Sequence, residues 1–436
     1  MMEAVERQSP AGRRQKARPA IDTFTSWWLT SFAVALVALY LSYFAILYRA
    51  GTWIVDKAGV PIYTDFGLAW TAGLQALHGD AAALSDPAAF TKIQAALFPT
   101  SHSFYPNWPY PPTFFLLLAP LAALPYRSAF IAWDVLTLAA FVAIVYLIVP
   151  RRAAIALAAA APFTAWNFLA AQNGFLTGSL LGGALLSLER RPALAGIFIG
   201  CLTYKPQFGI LFPVALVAAR QWRAIAGAAI TAALLAGMSA ALFGTRSWAL
   251  FPHELVAQTG LNFLSGEDSN WGYLQSGYGF ARLLHAGIGL AWLVHGLIAT
   301  ALAIIIWRVW RSAACWRLKA ASLSAAALLA TPYAFAYDMA ALAIPAAFLA
   351  ADQLQRGLLP GDKTMWIGLF AAPLALLVTL GDNAHGPTFG GTPISLMIAL
   401  ALLAAILRRA AVLPSKSAMP AEIANRSRFF AAPRKV

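Results

Sequence analysis

A chain of 436 residues that is 60% hydrophobic and 11% charged, with a mean hydropathy of +0.68, cannot cover its apolar surface with its own polar groups. A soluble domain carries about 25% charged residues. Lipid must therefore serve as solvent, and runs such as Ala320 to Ala330 lack the apolar-polar alternation of an outer-membrane barrel, which leaves helices. The net charge of +14 does not indicate nucleic acid, because the basic residues pair at the ends of apolar segments, as in Arg151-Arg152, Arg190-Arg191 and Arg408-Arg409. Such positions are those of cytoplasmic anchors, and no basic face interleaved with aromatics is present. Cys201 and Cys315 have no metal or redox spacing and read as packing residues.

In chain order, residues 1–25 form a basic cytoplasmic arm, and residues 26–48 make a first, retained crossing with no cleavage site. Residues 49–127 follow as a first external loop. It contains an apolar stripe at Phe66, Ala69, Trp70, Gly73, Leu74 and Leu77, and a second stretch, Thr113 to Leu124, bounded by Pro112 and Pro125. Both read as helices lying in the membrane interface. Further crossings are expected over 128–149, 153–170, 174–188 and 224–243, with a broken pair between 192 and 219 interrupted by Tyr204-Lys205-Pro206-Gln207. A second external loop spans 244–278, with His253, Glu254, Glu267 and Asp268, and the remaining crossings are 280–307, 320–335, 338–351, 365–380 and 392–407. The expected fold is an all-α polytopic transmembrane bundle over residues 26–409, with about twelve crossings and both termini cytoplasmic. The loops after 351 put Asp382 and His385 outside, and residues 410–436 read as a disordered tail.

Charge inside a membrane protein costs about 2.5 to 3.5 kcal/mol at the bilayer centre, so each carboxylate near a crossing needs a reason. Asp65 has two: a functional acid at the mouth of the bundle, or the N-cap of the helix that follows it. Lys205, beside a helix-breaking proline, either holds an anion or snorkels to headgroups. Asp338 either orients an acceptor, pairs with a basic residue, or is a plain turn carboxylate. His102, Tyr105, Asn107, Trp108 and Tyr110 combine rings and amides that can hold a sugar, or anchor the chain at the interface. His253 and Glu254 fit a solvated loop. The chain has no Walker loop, no zinc-protease His-Glu pair, no Gly-x-Ser-x-Gly and no Asp-x-Asp, so soluble nucleotide chemistry is not expected, and neither a metal nor a cofactor is called for.

Tyr63-Thr64-Asp65-Phe66 with its following helix, Phe104 to Pro112 leading into Leu116 to Leu121, Gln172-Asn173-Gly174, Arg191 to Gly196 and Lys205-Pro206-Gln207 occur in an order and spacing that resembles glycosyltransferase family 87, the DUF2029 membrane proteins. The likeness is carried by residues 60–225. It implies a GT-C bundle in which Asp65 is the essential acid and Lys205 the lysine of the broken region. The family includes polyprenol-phosphate-mannose-dependent mannosyltransferases, which implies a lipid-linked donor used outside the cytoplasm of a bacterial inner membrane and a lipid or glycan acceptor. On that reading Asp65 is the general base of a single inverting displacement, Lys205 and Gln207 bind the donor phosphate, and His102, Tyr105, Asn107, Tyr110, Gln172, Asn173 and Asp338 bind acceptor or sugar. A secondary transporter is the main rival, weakened by the missing inverted repeat and by the interfacial place of the best carboxylate. A lipid-linked glycan ligase or flippase is a further alternative that only substrates can separate.

Overall fold

The computed structural model describes residues 19–258, 271, 274–379 and 394–412, and among these every long element is a helix. The helices are α1 (Pro19–Ala50), α2 (Asp65–Leu77), α3 (Pro87–Leu97), α4 (Phe115–Ala122), α5 (Tyr126–Ile148), α6 (Arg152–Ala160), α7 (Pro162–Ala170), α8 (Gly174–Ser187) and α9 (Pro192–Cys201). They continue with α10 (Phe212–Ala218), α11 (Trp222–Phe243), α12 (Thr245–Gln258), α13 (Gly277–Leu283), α14 (Ile288–Arg311), α15 (Trp316–Leu329), α16 (Ala343–Arg356), α17 (Asp362–Thr379) and α18 (Ile394–Val412). Glu267, Asp268, Asp382, His385 and residues 413–436 lie outside the described residues.

Among the described residues five helices are long and apolar enough to cross a membrane: Trp27–Ala50 of α1, α5, α11, α14 and α18. A sixth span results if α6 and α7 are counted together, although they bend by 60° at Ala161. That bend has a local cause: Ala161 precedes Pro162, whose ring forbids helical backbone before it, and Ala161 is extended at φ −59°, ψ 133°. The expected count of about twelve crossings is not confirmed by helix length and apolarity, because several further apolar segments among the described residues are short helices. α8, α15 and α16 each have 14 residues, about 21 Å of helix against the roughly 30 Å of a hydrocarbon core. α1 begins at Pro19, ahead of residue 26, where the first crossing is expected to start.

The chain divides into two compact units, residues 1–179 with 237–258, and residues 180–236 with 259–436. In the first, α1 packs on α6 and otherwise leaves Trp28, Phe32, Leu39, Ile46 and similar side chains exposed, an apolar surface suited to lipid. α2 lies on α4 at close range. A Cβ at Gly73 would stand 2.5 Å from the Leu118 carbonyl oxygen, so only glycine allows that approach. α2 buries Gly67, Leu68, Thr71, Ala72 and Ala76, whereas Leu77, placed in the expected stripe, is 45% exposed. The stretch between α2 and α4 also holds an element not expected from hydropathy. α3 begins where the Asp86 carboxylate accepts from the amides of Ala88 and Ala89, with Pro87 at its first position. Residues 245–258, expected as loop, form α12, which packs on the turns Ala81–Ser85 and Pro112–Phe114. His253 of α12 is exposed, and Glu254 is 6% exposed, its carboxyl raised above the ordinary range by burial and held back in part by His253.

In the second unit α15 is the centre. From Ala320 to Thr331 every side chain is buried, against α16, α18, α14 and α10. Its alanines permit close helix contact, and Ser324 returns its hydroxyl to the Ala320 carbonyl, so no polar group is stranded. Arg409, expected as a headgroup anchor, is instead fully buried and paired with Asp352 and Asp362 at 2.8 and 3.0 Å. Cys315 is more than packing: its thiol donates to Asp352 at 3.2 Å.

Candidate active site

Asp65 is the first residue of α2, and Thr64, extended at φ −135°, ψ 179°, takes the cap position. Capping therefore does not account for Asp65. Its place in the first helical turn puts a carboxylate where the helix dipole favours negative charge, which suits an ionised base. The segment before it is pinned from both sides. Tyr126 donates to the Ile62 carbonyl at 3.0 Å and its hydroxyl lies 3.1 Å from that of Thr64.

Tyr63 donates to the side-chain oxygen of Gln94, a fully buried residue of α3, and accepts from the Tyr105 amide at 3.2 Å. Gln94 in turn donates to the Tyr105 carbonyl at 2.8 Å, so one buried amide ties the Asp65 segment to the Tyr105 segment. Burial pushes the Tyr63 phenol above its ordinary range; the Tyr105 amide pulls it back and the charge of Asp65 adds to the rise. Tyr63 stays protonated, a donor that cannot serve as base beside Asp65.

Asp65 opens into a recess of about 300 Å³, including the solvent at its mouth, shared with Tyr110, Phe114, Trp133, Gln172 and Asn173. The wall opposite the helix is a turn that the sequence builds at some strain. α7 ends on Ala171, left-handed at φ 47°, a conformation that costs a non-glycine residue about 1 kcal/mol. Asn167 holds this turn: its amide nitrogen donates to the Gln172 carbonyl at 3.0 Å and its oxygen accepts from the Gly174 amide at 2.8 Å. The Trp53 indole adds a bond to the Leu169 carbonyl at 2.8 Å. Asn173 is thereby aimed at Tyr110, to whose hydroxyl it donates at 3.0 Å. Because Asn167 is fully buried, Asn167→Ala should cost about 1–3 kcal/mol and raise amide exchange at residues 172–174; unchanged exchange there would show that the turn holds itself.

Of the residues expected at the site, the recess brings together Asp65, Tyr110, Gln172 and Asn173. His102 and Tyr105 are exposed side chains outside its lining, and Asn107 is buried but does not line it either. Lys205 and Asp338 belong to the second unit and form an ion pair at 2.7 Å, 4% and 0% exposed. Lys205 does not snorkel. It lies between two 3-10 turns, Leu202–Tyr204 and Pro206–Gly209, with its ammonium 5.1 Å from the centre of the Tyr337 ring and 5.6 Å from that of Phe208. The second oxygen of Asp338 accepts from the Phe335 amide at 3.1 Å, so of the readings open to Asp338 the pairing with a basic residue is the one observed. Gln207 is half-buried on the second turn.

Sequence reasoning passed over three buried groups. Gln94 and Trp133 carry no motif. Asp134, inside the 128–149 segment, carries the plain signal of a carboxylate within a span: it is 1% exposed on the face of α5 that also buries Phe130, Thr137 and Phe141, and among the described residues neither carboxylate oxygen has a partner. No group of three or more His, Cys, Asp or Glu residues placed to hold a metal ion occurs among the described residues.

A chain whose described residues are helical, with several apolar helices of lipid length, is an integral membrane protein, and the polar lining of the recess at Asp65 is one carboxylate, one phenol and two amides among apolar side chains. Glycosyltransferase family 87 matches it over residues 108–332, more than half of its length, and the chain belongs to that family. It is thus a membrane glycosyltransferase, with a sugar donor and an acceptor as its substrates. The matched region contains Tyr110, Gln172, Asn173, Lys205 and Gln207; Asp65 lies before it and Asp338 after it. No curated protein and no solved structure matches the chain significantly.

Proposed function

We propose that the protein moves a hexose, mannose by the family resemblance, from a polyprenyl-phosphate donor to a lipid or glycan acceptor on the extracytoplasmic side of a bacterial inner membrane, on a GT-C bundle and with inversion. The observation that carries this reading is the gathering of Asp65, Tyr110, Gln172 and Asn173 around one recess. An acceptor hydroxyl placed there gives its proton to Asp65 as its oxygen attacks the anomeric carbon. The bond from that carbon to the phosphate oxygen breaks, and its electron pair leaves with the polyprenyl phosphate. A single base and a single displacement give inversion. Tyr110 and the two amides orient the acceptor, since they are hydrogen-bonding groups that leave Asp65 as the only carboxylate of the lining. The test is a panel of polyprenyl-phosphate hexoses offered to the purified protein in lipid, reading released polyprenyl phosphate; release from none of them would overturn the donor assignment.

The leaving phosphate needs a cation, and Lys205 with Gln207 is proposed for that role. A phosphate there must compete with Asp338, which already holds the ammonium. Lys205→Arg keeps the charge and the pairing, so the comparison of interest is Lys205→Ala against it. Lys205→Ala should raise the donor KM by at least about tenfold with acceptor KM little changed. A normal donor titration in a folded Lys205→Ala protein would leave the pair with a structural role alone.

A further inference from the structure

The second unit holds a cation that neither the catalytic reading nor the pairs around Asp352 and Asp362 account for. Arg282 lies in α13, six positions before Ile288, where the lipid-length helix α14 begins, and at the end of that helix remote from Arg308 and Arg311. Among the described residues it has no carboxylate partner, whereas Lys205, Arg356, Arg408 and Arg409 each have one. Its guanidinium lies over the Trp271 ring, 4.7 Å from the ring centre, and Nη1 donates to the Ala286 carbonyl at 2.7 Å. Nε is buried and without an acceptor, the one arginine or lysine nitrogen among the described residues in that condition. The local fold fixes this arrangement. α13 closes where the Ala286 amide donates to the Ala281 carbonyl at 3.0 Å and the His285 amide to that of Arg282 at 2.9 Å, a closing turn whose pivot residue is left-handed. That residue is His285 at φ 59°, where glycine is usual, so the turn that presents the Ala286 carbonyl to Nη1 is held under backbone strain.

We infer that Arg282 binds the phosphate of a membrane lipid: Nε and Nη2, the side-on fork of the guanidinium, donate to two phosphate oxygens, and the hydrocarbon of the same lipid lies along exposed apolar side chains nearby. With Nη1 taken by Ala286 and a ring face by Trp271, the Nε edge is what remains, and such a fork matches two oxygens of a phosphate. One anion satisfies both a partly buried cation without counter-charge and a buried donor without an acceptor. Location argues that the anion is carried by a lipid. Arg282 stands just ahead of a span, at the level of headgroups, and Phe280, Leu284, Ile288 and Leu290 of the same stretch expose apolar side chains. The positive-inside pattern accounts for Arg308 and Arg311 at the other end of α14 and gives no reason for a cation at this one. The phosphate is that of a prenyl phosphate or that of an ordinary phospholipid, and only the first of these sources rests on the proposed donor. Unlike Lys205, which Asp338 holds, Arg282 has no described carboxylate to release before it takes up a phosphate.

The experiment is native mass spectrometry of the full-length protein released from detergent, titrated with farnesyl phosphate and with dioleoylphosphatidylglycerol, with their phosphate-free counterparts farnesol and dioleoylglycerol, and with inorganic phosphate. At least one of the two phosphate lipids should bind about tenfold or more tightly than its counterpart and than inorganic phosphate. Arg282→Gln should lower that affinity at least about tenfold, and Arg282→Lys, which keeps the charge and loses the fork, at least about threefold. Trp271→Leu leaves the guanidinium and removes the ring beneath it; it should weaken the lipid about threefold, a second handle should Arg282→Gln fold poorly. Preference for farnesyl phosphate assigns the site to the donor, and equal or tighter binding of phosphatidylglycerol assigns it to the surrounding bilayer; both keep Arg282 on a lipid phosphate. Equal binding of each lipid with and without its phosphate, inorganic phosphate binding as tightly as either lipid, or wild-type lipid affinity in folded Arg282→Gln would overturn the inference. Binding is read without turnover, so Arg282-dependent lipid binding by a protein that releases polyprenyl phosphate from none of the donor panel would condemn the donor assignment alone.

Discussion

Asp65→Asn is expected to lower sugar transfer by about 10²- to 10⁴-fold, the usual contribution of a positioned base, while changing stability by no more than about 1 kcal/mol. The replacement keeps the shape and the hydrogen-bonding capacity of the side chain but cannot take up a proton. No neighbour can substitute for it. Tyr63 is held protonated by burial and by its bond to Gln94, and the rest of the recess offers a phenol, amides and apolar groups. The half-buried carboxylate at the start of α2 is stabilised by the helix dipole by about 0.3–1 kcal/mol, which is the whole of the expected stability loss. The measurement is initial transfer rate from a polyprenyl-phosphate hexose, with melting followed in parallel. A variant that transfers at the wild-type rate would remove Asp65 from the reaction.

The second large effect lies in the other unit and concerns stability. Arg409 donates to Asp352 through Nε and Nη2, to Asp362 through Nη1 and to the Gly357 carbonyl, and it is 0% exposed. Arg408 and Gln353 complete Asp362, and Arg356 and Cys315 complete Asp352. Arg409→Met removes the shared cation and leaves two buried carboxylates short of their partner, which should cost about 3–5 kcal/mol. Adding Asp352→Asn and Asp362→Asn to Arg409→Met should recover part of the loss, since the penalty comes from stranded charge rather than from lost attraction. Unfolding in detergent reads both. An Arg409→Met protein that unfolds like the wild type would mean that water reaches the pair.

The arginine also shows what sequence reading could not see. Arg408-Arg409 at the end of an apolar segment is indistinguishable from a headgroup anchor, because its partners stand 46 to 57 positions away. The five long spans were legible, since a run of apolar residues of that length has few other uses. Beyond those spans hydropathy is a weaker guide, because it reports that a helix avoids water and not whether protein or lipid surrounds it, and α8, α15 and α16 are short helices whose side chains are mostly buried in protein. At the site, Asp65, Tyr110, Gln172 and Asn173 were named from the chain, the first by its place ahead of an amphipathic stretch. α3 was passed over although Asp86-Pro87 is a cap followed by a helix-starting proline, and with it went Gln94, whose function is set by residues that meet it only on folding.

The enclosure of α15 also governs how the polypeptide can be made. A nascent segment of about 21 Å, with Arg317 and Lys319 near its start, is too brief to lodge in a bilayer unaided when it leaves the ribosome. Its resting place is defined by α16 and by α18, the latter synthesised 65 residues after α15 ends, at Ile394 following Leu329. Enclosure of α15 is therefore complete only once α18 has been made, and a ribosome stalled before that point would leave the face of this alanine-rich rod that meets α18 uncovered.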